Sequence, residues 1–175
     1  MALQLIICVE ADKQSKSDYL YIKSLIDREY IIDQKVKLQP VYMGGKGSYN
    51  KNKTLKEITA YKNKYASAIK GGKSAVIFCF DCDKWDTISE DKAFIDRARD
   101  YCDRNGYDYV WFCKDIESVF LGHPVADERK KQEAENFVAK DLIEGVDVKL
   151  LYSDEYKDKH SNIMKVLDKH LKRKK

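Results

Sequence analysis

The feature that most constrains this chain is a recurrence: short, unbroken apolar runs alternate with stretches of helical periodicity. Five runs read as strands: Leu3–Val9, Val36–Met43, Ala75–Phe80, Tyr107–Cys113 and Val146–Leu151. Most are continuously apolar rather than alternating, the pattern of strands covered on both faces. Between them, apolar residues recur at helical spacing, as in Tyr19, Ile22, Leu25 and Ile26, or Leu55, Ile58, Tyr65 and Ile69. Phe94, Ala98, Tyr101 and Cys102 repeat the pattern, and Asn105-Gly106 follows with a residue suited to a left-handed helix cap. Two later segments carry Ala134, Phe137, Val138 and Leu142, then Ile163, Val166, Leu167 and Leu171. Alternation of this kind predicts an α/β fold of three layers, a mainly parallel sheet flanked by helices. A length of 175 residues suits one domain over 1–175 with one normal core.

The order of these elements places chemistry. Right-handed crossovers bring the carboxyl ends of parallel strands to one sheet edge, where ligands bind. Glu10 follows the first run, Gly44-Gly45-Lys46-Gly47 the second, Asp81-Cys82-Asp83 the third and Asp115-Ile116-Glu117 the fourth. In an extended continuation, residues two apart point the same way, so Asp81 and Asp83 would face one ion. Acids gathered in a poorly hydrated cleft repel one another, and a cation resolves the repulsion. Carboxylate oxygens with positions left for water suit Mg²⁺ or Mn²⁺. The expected metal ligands are therefore Glu10, Asp81 and Asp83. Glu117 could ligate a second ion or act as acid or base. Each has a plainer reading: Asp81 as a cap for the next segment, Glu117 as a first-turn acid complementing a helix dipole, and His123 as a structural hydrogen-bonding residue. The glycine segment lacks Walker spacing and reads first as a turn, although Lys46 and its amides could meet a phosphate.

Composition closes off several classes. No apolar run approaches the roughly 20 residues of a membrane span, and the amino-terminal residues lack a basic leader and a cleavage site, so a cytoplasmic protein is expected. Cysteines at 8, 79, 82, 102 and 113 lie mostly within or beside apolar strand-like runs, which favours buried thiols over zinc. The net charge of +4 is spread among alternating Lys and acidic residues, with an excess in the tail from His170 to Lys175. That tail reads as a solvated helix end with some affinity for phosphate.

The layout of Val9-Glu10 and Phe80-Asp81-Cys82-Asp83 resembles the Toprim-type catalytic domain, in which Glu follows the first strand and DxD the third. It is closer to the RloB-like branch, related to OLD-type nucleases and associated with bacterial anti-phage or abortive-infection systems. Gly44-Gly45-Lys46-Gly47-Ser48 and Ile116-Glu117-Ser118-Val119-Phe120-Leu121-Gly122-His123 extend the likeness across nearly the whole chain. Glu10-Ala11 stands where that family shows Glu-Gly, Lys114-Asp115 stands where it often shows Asn-Pro, and Asp12 and Asp18 are displaced from its second acid. The resemblance implies catalytic roles for Glu10, Asp81, Asp83 and Glu117 in Mg²⁺- or Mn²⁺-dependent phosphodiester cleavage of DNA or RNA. Lys46 and Lys84 would then contact phosphates, and Trp85 or Tyr49 would stack on a base. No ATPase portion is present, so an ATP-driven partner would be a separate chain, and a homo-oligomer is compatible with the sequence.

Two other readings remain. One is a non-enzymatic sensor or regulatory subunit that meets a partner ATPase or phage component through the same cleft. The other is phosphoryl transfer of the haloacid-dehalogenase type. There the DxD lies on the first strand and continues with Thr or Val, whereas here Lys84-Trp85 follows a third strand.

Overall fold

The computed structural model describes residues 1–175. In chain order its elements are β1 (Leu3–Val9), α1 (Ser17–Glu29), β2 (Tyr30–Ile31), β3 (Val36–Tyr42), α2 (Asn52–Ala68), β4 (Lys73–Asp81), α3 (Ser89–Asn105), β5 (Asp108–Phe112), α4 (Ile116–Leu121), α5 (Lys130–Ala139), α6 (Ile163–Leu167) and β6 (Lys172–Arg173). Four strands form a wholly parallel sheet in the order β3-β1-β4-β5, and β2 pairs separately and antiparallel with β6.

The period of two along a strand splits the core. Leu5, Ile7 and Val9 of β1 and Ile77 and Cys79 of β4 join one cluster, with Tyr21, Ile22, Leu25 and Ile26 of α1 and residues of α4, α5 and α6. Ile6 and Cys8, with Val76, Phe78 and Phe80, turn to the other face, against Ile58 of α2 and Ala98 and Cys102 of α3. Both faces are thus covered, which is why the runs are continuously apolar, and the fold is a three-layer α/β structure. Each fully buried Leu or Ile contributes about 2 kcal/mol. Gly106 takes φ 66°, and its N–H reaches the Asp103 carbonyl oxygen, closing α3 as its sequence predicts. The five cysteines are buried free thiols. No helix is long and apolar enough to cross a membrane.

The chain leaves β1 through α1 on one face to reach β3. It returns through α2 on the other face and passes over β1 to β4. The neighbours β1 and β4 therefore send their following segments to opposite faces. Such a switch point opens a crevice at the strands' carboxyl ends.

Three expectations require correction. The run Val146–Leu151 is not a strand: Asp147 Oδ1 accepts the Lys149 N–H at 3.0 Å, and residues 148–152 form a 3-10 turn. The outer edge of β5 is filled instead by a later segment. Trp111 N–H donates to Asn162 Oδ1 (3.0 Å), the Asn162 amide donates to the Tyr109 carbonyl (2.9 Å), and Cys113 N–H donates to the His160 carbonyl (3.0 Å). The last helix stops at Leu167, short of Leu171. Nor is the basic tail simply solvated. Arg173 pairs with Glu29 (2.9 Å) and Asp168 (2.8 Å), and its guanidinium lies 5.1 Å from the rings of both Tyr30 and Tyr152.

Candidate acidic cleft at the carboxyl edge of the sheet

Glu10 and Asp81 occupy the switch point. Glu10 follows β1 directly, Asp81 is the last residue of β4, and Glu10 Oε1 accepts the Asp81 N–H at 3.0 Å. Asp81 Oδ1 accepts the N–H of Ile116, the first residue of α4, at 3.0 Å. Asp81 therefore does not cap the segment that follows it, since α3 starts after Ile88 with no side-chain cap; it ties β4 to the start of α4 instead. A third acid joins them. Asp18, in the first turn of α1, accepts the Ala11 N–H on Oδ2 at 2.8 Å, which folds the loop after β1 back onto the helix.

Glu10, Asp18 and Asp81 line one cleft of about 400 Å³, closed on other sides by Gly44-Gly45 and by Lys130 and Lys131. Gly44 and Gly45 adopt φ of 69° and 123°, a region L side chains rarely enter, and the Gly45 N–H donates to the Glu10 carbonyl at 2.8 Å. The glycine segment is thus a fixed wall, stitched to the loop that carries Glu10.

Burial dominates the electrostatics. It pushes the Glu10 carboxyl up to about 8 against the hydrogen bond from Asp81, and neighbouring Asp18 and Asp83 add to the rise. Burial raises Asp81 well above the usual carboxylate range, with Glu10 and Asp18 next in effect, and it raises Asp18 as well. Glu117 is fully buried behind the cleft, and neither of its carboxylate oxygens has a hydrogen-bond partner. Burial moves it up to about 7, opposed by the ammonium of Lys130, whose Nζ is 3.7 Å from Oε2. Lys130, half-buried on α5, is pulled down by burial and pushed up more strongly by Glu117 and Asp81, so its charge is held firmly.

Asp83 departs from the expected arrangement. Its backbone turns left-handed at φ 49°, so the two acids of the DxD do not continue as one extended pair. Asp83 instead pairs with Lys46, which also lies 3.5 Å from Asp91 and 4.8 Å from the centre of the Phe94 ring. Lys46 is therefore committed to acids and does not line the cleft as a free phosphate contact. Lys84 is exposed; its N–H donates to Asp91 at 3.1 Å, and its side chain forms no ion pair. Tyr49 is buried among Phe80, Phe94 and Tyr101, and Trp85 packs near Tyr156, so neither ring stands free for a base. Asp115 caps α4, accepting the Ser118 N–H at 2.7 Å. His123 is exposed, with Nδ1 3.0 Å from the Pro124 carbonyl, outside the cleft.

Lys130 is the residue that sequence reasoning missed, and Asp18 enters that reasoning only as an acid displaced from the position where the resembled family carries its second one. An Asp in a first helical turn and a Lys in a Lys-Lys pair both look solvated.

No three His, Cys, Asp or Glu side chains converge closely enough to hold an ion in the present arrangement. The donor set nevertheless fits a hard divalent cation. It is all oxygen, Glu10 and Asp81 have raised carboxyl groups, and buried Glu117 has two carboxylate oxygens without hydrogen-bond partners. Comparison with protein-family models, with curated proteins and with solved structures finds no match.

Proposed function

We propose that this chain is a cytoplasmic Mg²⁺- or Mn²⁺-dependent nuclease that cleaves phosphodiester bonds of DNA or RNA, in the setting of bacterial anti-phage defence that the Toprim and RloB-like resemblance implies. The observation that carries the reading is the meeting of Glu10, Asp18 and Asp81 at the sheet's switch point, half-buried and without an ion pair of their own, opposite Lys130. Glu10, Asp18 and Asp81 would hold the ion, and Glu117 would support it from behind. A bound divalent ion supplies charge neutralisation for the phosphoryl oxygens as negative charge develops.

The chain's own groups do the rest. Glu10, raised to about 8 without an ion, would release its proton to solvent on taking up its place as a ligand, so ion binding should strengthen as pH rises. Asp81 is fixed by the Ile116 N–H, so its other oxygen keeps one direction. Lys130 presents an ammonium to the same cleft and attracts the phosphodiester.

The test is cleavage of labelled single- and double-stranded DNA and RNA with Mn²⁺, comparing wild type with Asp81→Asn. Cleavage reduced about 10²- to 10³-fold in the variant is expected. Absence of cleavage on every substrate, or full activity in Asp81→Asn, overturns the reading. One observation favours the regulatory alternative, in which the cleft recognises a partner ATPase or phage component: Asp83 is held by Lys46 rather than turned to the cleft. Metal binding without turnover, together with co-purification of a larger ATPase, would establish it.

A further inference from the structure

Beside the acidic cleft lies a second depression of about 310 Å³ with the opposite character. Its lining includes Lys13, Gln14, Tyr42 and Lys53, and it shares Asp12 and Gly44 with the cleft, so the two open into one another. We propose that this depression is a phosphate subsite, which seats the backbone phosphate next to the phosphodiester held in the acidic cleft.

Four donors and one acid make the case. Lys53, in the first turn of α2, is exposed and forms no ion pair. Lys13 has one acidic neighbour, Glu57, at 3.6 Å, and its side chain is 63% exposed, so the ammonium is free to turn. A pair so exposed holds its lysine weakly. The Gln14 carboxamide and the Tyr42 hydroxyl form no hydrogen bond within the protein, and burial raises the Tyr42 phenol, which therefore stays a donor. The single acid, Asp12, is already engaged: its Oδ1 accepts the N–H groups of Gln14 (2.9 Å) and Ser15 (2.7 Å). The acidic cleft, by contrast, sets Glu10, Asp12, Asp18, Asp81 and Asp127 against only Lys130 and Lys131. A lone anion is thus drawn to the side depression and repelled from the cleft. A polymer with regularly spaced phosphates can occupy both once the cleft's charge is offset. Lysines of this kind position a backbone without reading its sequence.

This inference rests on the nuclease reading for the cleft, but binding can be measured apart from cleavage. The probes are a fluorescein-labelled single-stranded oligonucleotide and its duplex, in EDTA, titrated between about 50 and about 200 mM KCl. The double variant Lys13→Ala/Lys53→Ala is expected to bind about tenfold more weakly to every sequence, with a salt dependence shallower by about one to two units. Lys70→Ala, in the exposed turn before β4 at the opposite sheet edge, is expected to bind as wild type does. Unchanged affinity and slope in the double variant overturn the subsite, as does wild type that binds neither probe. Cleavage with Mn²⁺ separates the two ideas. Weakened binding in the double variant together with inert wild type keeps the subsite and defeats the nuclease reading. Active wild type with an unaltered KM in the double variant does the reverse.

Discussion

Asp81 and Asp83 stand two residues apart at one sheet edge, in opposite electrostatic surroundings. Asp83 and its neighbour Asp91 share the ammonium of Lys46, and the Asp83 side chain is 40% exposed. Glu10, Asp18 and Asp81 are half-buried and form no ion pair, and the hydrogen bonds their carboxylates accept come chiefly from backbone amides. Both groups are acidic; only Asp83 has a direct ion pair, whereas Glu10, Asp18 and Asp81 share the more distant Lys130. An abundance of acids says little about a site. A buried deficit of positive charge says much more, because removing carboxylates from water costs several kcal/mol each unless something compensates.

The sharpest way to break this contrast is through pH. Glu10 and Glu117 rise from 4.5 to about 8 and about 7 on folding. The stability they confer is complete below about pH 4.5 and is lost as pH climbs through 7 to 8. Cation-free protein in EDTA is therefore expected to have its urea midpoint fall by the equivalent of several kcal/mol between pH 5 and pH 8. Glu10→Gln should flatten that fall, whereas a slope identical to wild type would show that the cleft acids are not under strain. Next in size is Lys130→Met, which leaves Glu117 without its only nearby cation. A loss of about 2 kcal/mol at pH 8, smaller at pH 6 where Glu117 takes up a proton, is expected by chemical denaturation. Asp115→Ala removes the cap of α4 and should cost about 1 kcal/mol at either pH. Lys46→Met completes the series. Its ion pairs are partly exposed, so about 0.5 kcal/mol is expected, with the pH slope of wild type retained. A large loss there would erase the distinction between the two acid groups.

Much of this was legible in the chain. β1, β4 and β5 announce themselves as largely continuous apolar runs because both faces are covered, and an acid at the end of such a run has few places to go. Glu10 and Asp81 follow from that logic alone. Val146–Leu151 misled because a short segment alternating apolar residues with Asp147 and Lys149 is equally compatible with a packed 3-10 turn. The edge it would have joined is taken by Asn162, whose carboxamide imitates a strand through one side chain. Asp83 misled because a DxD implies extended geometry only while the strand lasts, and β4 ends at Asp81. Asp18 and Lys130 come from helices that pack on the same face, and their approach to the cleft is a tertiary event that no local spacing records.

The treatment of β5 by residues 159–162 has a consequence for how this molecule meets others. A sheet with one margin closed can lengthen in a single direction. Here that direction lies along β3, the opposite margin of the order β3-β1-β4-β5. There the strand carries exposed Lys37 and the donor-less Pro40, which discourage casual strand addition. Any ribbon-like growth of this protein, in assembly or in aggregation, has to begin by overcoming those two residues.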